Sequence, residues 1–145
     1  MTKTREVLLV DDNPADIDLT KDTLGRSACR SNVHAVGDGI EAIAFLQRTG
    51  KYNDAIRPDV VLLDLNLPGK DGRAVLAQVK SDPALQGIPI IVFSTSRADK
   101  DIDRSYELGA NCYVTKPGDL QGFVATVSAL ANFWFCCAML PGKEQ

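Results

Sequence analysis

Val60-Val61-Leu62-Leu63 is an unbroken apolar run that stops at a carboxylate, Asp64. A strand with one face in water alternates apolar and polar residues. A continuous run needs cover on both faces, as in the middle of a parallel sheet. Four related runs flank it, at residues 6–10 and 33–36 upstream and at 88–93 and 112–114 downstream. The run at 33–36, interrupted by His34, has the poorer make-up that an edge strand tolerates.

The segments between the runs carry helical period. Asn13 is placed to cap a helix with Pro14 at its first position, which puts Ile17, Thr20 or Lys21, and Leu24 on one face. Asp38 and Glu41 have capping-box spacing ahead of Ala42, Ile43, Phe45 and Leu46. Asp71 precedes Val75, Leu76 and Val79. Ser96 or Asp99 opens a fourth helix that carries Ile102 and Tyr106 and ends at Gly109. Leu120, Phe123 or Val124, Val127, Leu130 and Trp134 define a fifth, and the polar stretch 50–58 is an exposed connection. Repeated strand–helix alternation predicts an α/β fold, a doubly wound parallel sheet of five strands with helices on both faces and right-handed crossovers. Periodicity does not give strand order. The flavodoxin-like order 2-1-3-4-5 is taken as the most economical arrangement, and it puts a switch point outside the carboxyl ends of strands 1 and 3.

Composition sets the outer limits. With 145 residues, 45% apolar and 24% charged, the chain is an ordinary globular mixture. At that length it buries roughly two-thirds of its unfolded surface without needing staples. A net charge of −3 with no basic block argues against direct nucleic-acid binding. No apolar run approaches the roughly 20 residues of a spanning helix. The charged start also lacks a signal peptide's exit site, so a cytoplasmic protein with no membrane role is expected. Cys29, Cys112, Cys136 and Cys137 show neither ligand spacing nor a disulfide framework, and free thiols are expected.

The chemistry collects where the strands stop. Strand 1 ends in Asp11-Asp12, strand 3 in Asp64, strand 4 in Ser94-Thr95, and strand 5 in Thr115-Lys116-Pro117. Under the assumed order these ends surround one pocket. Two carboxylates about 4 Å apart repel by about 4 kcal/mol at an effective dielectric near 20, so a cation belongs among Asp11, Asp12 and Asp64. Oxygen donors without histidine or thiolate favour Mg²⁺, with Mn²⁺ as substitute. A hard cation, the fixed charge of Lys116 and the hydroxyl of Thr95 together suit a phosphoryl group. Asp64, alone on the central strand, is the nucleophile, and the adjacent pair Asp11-Asp12 is left for the metal. His34 falls away from the cluster and is a poor phosphocarrier or base.

Val7-Leu8-Leu9-Val10-Asp11-Asp12-Asn13-Pro14, Leu62-Leu63-Asp64 through Pro68-Gly69-Lys70-Asp71-Gly72, Phe93-Ser94-Thr95-Ser96 and Lys116-Pro117 resemble the receiver domain of two-component response regulators. The resemblance covers almost the whole chain, with residues 1–132 as the receiver and 133–145 as an apolar extension. It implies that Asp64 accepts phosphate from a sensor histidine kinase and that Asp11, Asp12 and the main-chain carbonyl of Asn66 hold Mg²⁺. It further implies that Lys116 pairs with the phosphoryl group, that Lys116-Pro117 is a cis peptide, and that Thr95 and Tyr113 form the switch. Gly118 departs from the bulky apolar residue that often follows Lys-Pro in this family. A narrower resemblance links Leu46–Tyr52, Arg57-Pro58, Ser105–Leu108, Asn111–Tyr113 and Phe133-Trp134-Phe135 to the single-domain regulators paired with cyanobacterial phytochromes. It implies a homodimer through helix 4, strand 5 and helix 5, with Ile102, Tyr106, Phe133 and Phe135 as contact candidates. Such a protein is a phosphoacceptor that can catalyse its own phosphotransfer and dephosphorylation, not a turnover enzyme, and it acts on an unknown downstream protein.

Other functions fit less well. An FMN-binding redox protein needs a phosphate loop where this chain places carboxylates. A haloacid-dehalogenase-type phosphatase needs an acid two residues after its nucleophile, where Asn66 stands. The remaining alternative is a flavodoxin-like dimeric binding module with vestigial phosphorylation. The stretch 133–140 is too apolar for a frayed end, and either core burial or a dimer surface would use it.

Overall fold

A computed structural model describes residues 3–142. Five parallel strands, β1 (Arg5–Val10), β2 (Ser31–Val36), β3 (Val60–Leu63), β4 (Ile90–Ser94) and β5 (Cys112–Thr115), form one sheet in the order β2-β1-β3-β4-β5. Five α-helices connect and follow them: α1 (Pro14–Gly25), α2 (Gly39–Gln47), α3 (Gly72–Ser81), α4 (Asp99–Glu107) and α5 (Leu120–Ala131). The expected fold class and strand order are both realised. A single turn of 3₁₀-helix, Gly50–Tyr52, interrupts the connection read as irregular.

The continuous apolar character of β3 has its cause in two separate cores. Leu8, Val10, Val61, Leu63, Ile90 and Val92 point toward α2 and α3, where Phe45, Leu46, Leu76 and Val79 meet them. Val7, Leu9, Val60, Leu62, Ile91 and Phe93 point the other way, toward Leu24 of α1 and Phe123 and Val127 of α5. Every residue of β3 is therefore buried, while β2 at the edge is only half covered. His34 on β2 bonds Glu6 at 2.9 Å and packs against Phe45, neither of which belongs to the strand-end carboxylate cluster.

Local signals set the helix starts. Asn13 accepts from the Asp16 amide with Pro14 at the first position, Asp38 accepts from the Glu41 amide at 2.7 Å, and Asp71 accepts from Arg73. The capping box at α2 is half formed, because the Glu41 carboxylate bonds the Tyr52 hydroxyl and Lys51 instead of reaching back. The fourth helix starts at Asp99, the later of the two expected positions. Gly109 closes it at φ 108°, a conformation suited to glycine.

Two expectations are corrected. No cis peptide occurs among the described residues, so Lys116-Pro117 is trans. The cysteines are not all free: Cys29, in the α1–β2 connection, is bonded to Cys136 across 107 residues of chain, with Cα atoms 5.7 Å apart. Cys112 and Cys137 stay as thiols. Spacing could not reveal the bridge, because only the packing of α1 against α5 brings the two positions together.

Beyond α5 the helix continues without a break into a π-helical turn, Asn132–Cys137. By length and composition alone, Leu120–Cys137 would reach across a bilayer. Its Phe123, Val127, Ala131 and Phe135 form one face buried in the α1–α5 core, while the rest of the segment is exposed or half-buried. The extension expected over 133–145 is thus partly core: Phe135 and Leu140 are buried, Phe133 and Met139 exposed. Its last residues, 143–145, lie outside the described part.

Candidate functional site

The strands β1, β3, β4 and β5 end side by side, and their carboxyl ends carry the chemistry. The Asp64 amide donates to the Val10 carbonyl and the Lys116 amide to the Ser94 carbonyl, which ties these ends into one rim. One oxygen from each of Asp11, Asp12 and Asp64 lies within 4.8 Å of the others. Asp11 is buried, Asp64 half-buried and Asp12 exposed. The loop bearing Asp64 is held from below by α3: the Gly72 amide donates to the Leu65 carbonyl at 2.9 Å. A Cβ at Gly72 would collide with the Asp64 carbonyl, so only glycine lets α3 start this close.

Lys116 reaches into the group from β5. Its Nζ donates to Asp11 Oδ2 at 2.7 Å, Asp16 Oδ2 at 2.9 Å and Asp64 Oδ2 at 3.0 Å. Burial works against the ammonium, but hydrogen bonds to Asp11 and Asp16 and the charge of Asp64 outweigh it and hold Lys116 above its ordinary range. Burial pushes the Asp11 carboxyl up, and the charge of Asp64 adds to that, against the pull of Lys116 and the Asn13 amide. Three carboxylates, those of Asp11, Asp16 and Asp64, surround one ammonium, and a fourth, Asp12, lies beside Asp11 and Asp64. The excess of negative charge and the all-oxygen donor set fit a hard divalent cation, with Asp11, Asp12 and Asp64 as its holders.

Asp16 was not among the residues singled out from sequence. Its signal was available: an acidic residue in the first turn of a helix that starts directly after Asp11-Asp12 lies beside the same pocket. Asn66 is exposed, and its amide faces Asp64 Oδ1 at 3.4 Å. Thr95 lies one residue past β4, exposed, and among the described residues no hydrogen bond joins it to the carboxylates.

Next to Thr95 a second network spans α3, α4 and β5. The Tyr113 hydroxyl donates to the Ser96 carbonyl at 2.9 Å, and the Tyr113 amide donates to the Tyr106 hydroxyl. The Ser96 hydroxyl donates to Asp101 at 2.6 Å, and Arg73 of α3 donates to the same carboxylate at 2.9 Å. The hydrogen bonds from Ser96 and Arg73 hold the Asp101 carboxyl below its ordinary value. Tyr113 is therefore fastened at both ends to the segment that follows Thr95. Of the contact candidates, Tyr106 and Phe133 are half exposed and Ile102 is partly covered. Phe135 turns inward to the core, so its expected surface role is corrected.

An α/β sheet of this order with an acidic, lysine-bearing pocket at the switch point defines a phosphoacceptor receiver. Residues 7–128 match the response regulator receiver domain family, and the chain belongs to it. Its relatives narrow the class. The chain is 43% identical over 135 residues to response regulator Rcp1 of Synechocystis sp., covering 93% of this chain and 92% of that one. The crystal structure of the phosphorylated cyanobacterial phytochrome response regulator RcpA superposes with a TM-score of 0.94 at 47% identity, covering 97% of this chain and all of that one. The Mn²⁺-bound form of Rcp1 superposes at 0.93 with 42% identity, covering 95% and 99%. Receiver domains catalyse their own phosphorylation and dephosphorylation and are not turnover enzymes, in keeping with the acidic cluster.

Proposed function

We propose that Asp64 accepts a phosphoryl group from the phosphohistidine of a phytochrome-type sensor kinase, and that the domain passes the signal on through a homodimer face built from α4, β5 and α5. The observation that carries this reading is the convergence of Asp11, Asp12 and Asp64 within 4.8 Å, with the Lys116 ammonium 3.0 Å from Asp64. Asp11 and Asp12, with the Asn66 carbonyl, would hold Mg²⁺ or Mn²⁺. When bound, that ion supplies charge neutralisation for the phosphoryl oxygens.

The chain's own groups do the rest. Asp64, held in place by Gly72 beneath its loop, offers a carboxylate oxygen to phosphorus. Lys116 stabilises the negative charge that builds on the phosphoryl oxygens. Thr95, exposed beside the pocket, is free to turn its hydroxyl toward the new group. That movement pulls on Ser96, and with it on the Tyr113 hydroxyl and the Asp101 carboxylate. Thr95 and Tyr113 thereby couple the pocket to α4 and β5.

The phytochrome assignment is supported by the two regulators RcpA and Rcp1, which match over nearly their whole lengths. Dimerisation is supported by an open apolar groove between β5 and α5, lined by Cys112, Val114, Leu130, Phe133 and Trp134; Ile102 and Tyr106 lie outside it, on α4, which packs against β5. The protein would work in the cytoplasm, beside the kinase's catalytic domains. The test is phosphotransfer from a purified phosphorylated phytochrome kinase, in parallel with unrelated kinases. Fast transfer from the phytochrome kinase alone is expected. Equal transfer from every kinase would remove the pairing.

A further inference from the structure

Lys116 Nζ has three N–H donors, and three carboxylates occupy them: Asp11 at 2.7 Å, Asp16 at 2.9 Å and Asp64 at 3.0 Å. No donor is left for a phosphoryl oxygen on Asp64, so one contact has to be given up when that group arrives. The three acceptors are not equivalent. Asp11 belongs to the oxygen cluster with Asp12 and Asp64, and its other oxygen is tied to the Asn13 amide. Asp64 carries the group itself. Asp16 stands outside that cluster, in the first turn of α1. It keeps 26% of its side chain in solvent against 3% for Asp11, so water replaces Lys116 there at least cost.

We propose that Asp16 is a positioning residue that holds Lys116 in the resting pocket and competes with the phosphoryl group for it, thereby setting how fast Asp64 is phosphorylated. The proposal rests on the reading of Asp64 as phosphoacceptor. In the transfer from acetyl phosphate, an Asp64 carboxylate oxygen forms a bond to phosphorus while the bond from phosphorus to the acetyl oxygen breaks. Acetate leaves with that electron pair, and no proton is consumed. The phosphoryl oxygens that then lie beside Lys116 draw one N–H away from Asp16. Because this exchange accompanies bond formation, Asp16 acts on the maximal rate and leaves the half-saturating concentration of acetyl phosphate nearly alone.

The test compares the full-length protein with its Asp16→Asn and Asp16→Ala variants, phosphorylated by acetyl phosphate at saturating Mg²⁺. Asp18→Asn, which removes an exposed carboxylate from the same helix, controls for charge. Both Asp16 variants are expected to gain about threefold in maximal rate, the scale of one partly solvated ion-pair contact, with Asp18→Asn unchanged. In the metal-free protein, exchange of the Lys116 ammonium protons with water, followed by NMR, should be faster in both Asp16 variants. A rate at or below wild type in both variants, an equal gain in Asp18→Asn, or unaltered ammonium exchange would overturn the role of Asp16. Failure of the wild type itself to take up phosphate would instead remove the phosphoacceptor reading beneath it.

Discussion

The pocket at the strand ends and the segment that prolongs α5 solve opposite problems. In the pocket, three carboxylates are gathered against one buried ammonium with Asp12 beside them, and the arrangement is held by the chain at some cost in repulsion. In the C-terminal segment, apolar side chains are divided between the core and the surface, and a disulfide fastens the end to α1's connection. The first region concentrates unfavourable energy where a ligand can relieve it. The second spends favourable burial on fixing α5, the helix that frames the proposed dimer groove. What separates them is where the molecule keeps its unsatisfied capacity: charge in one, apolar area in the other.

Removing the ammonium should expose the cost of the pocket most sharply. Lys116→Met leaves Asp11 buried without its partner, and a loss of about 3 kcal/mol in unfolding free energy is expected without divalent ions. Added Mg²⁺ should restore part of it, as read from urea midpoints. An unchanged midpoint would mean that the carboxylates are not strained.

The C-terminal segment supplies a paired contrast. Phe135→Ala should cost about 3 kcal/mol or more, as for other buried aromatics. Phe133→Ala should change stability by less than about 0.5 kcal/mol while weakening self-association in sedimentation. If both variants behaved alike, the division between core and surface would fail. Reduction of Cys29–Cys136, or Cys29→Ser, should lower stability by about 2 kcal/mol, with Cys137→Ser as a silent control.

The smallest effect lies between the two regions, at Asp101. Its folded value sits below the ordinary 3.8, so its contribution is complete above that pH and is lost as pH falls through the folded value. Arg73→Gln should therefore lower the neutral plateau slightly and leave the acid end nearly unchanged, which flattens the acid limb of a stability profile read from urea midpoints across pH.

The same contrast explains what could be read from the chain. Core strands and helix starts were legible because they depend on neighbours in sequence: the run at Val60, the caps at Asn13, Asp38 and Asp71. The acidic pocket was legible because each strand end carries an unusual residue, and the sheet order joins them. Asp16 escaped because a first-turn carboxylate also has an ordinary role beside a helix N-terminus. Asp101 and Arg73 escaped because their meeting depends on how α3 lies against α4, and the Cys29–Cys136 bridge because it depends on α1 packing on α5. Phe133 and Phe135 differ only in which way one turn of helix faces. Where function uses a contact between elements that no strand register fixes, composition and period are silent.

The most direct test maps the phosphoryl group after incubation of the wild-type protein with acetyl phosphate and Mg²⁺. The account predicts a single acyl phosphate on Asp64, dependent on the divalent ion and absent from Asp64→Asn. Undiminished labelling of Asp64→Asn, or a phosphoryl group on Asp11 or Asp12 of the wild type, would contradict it.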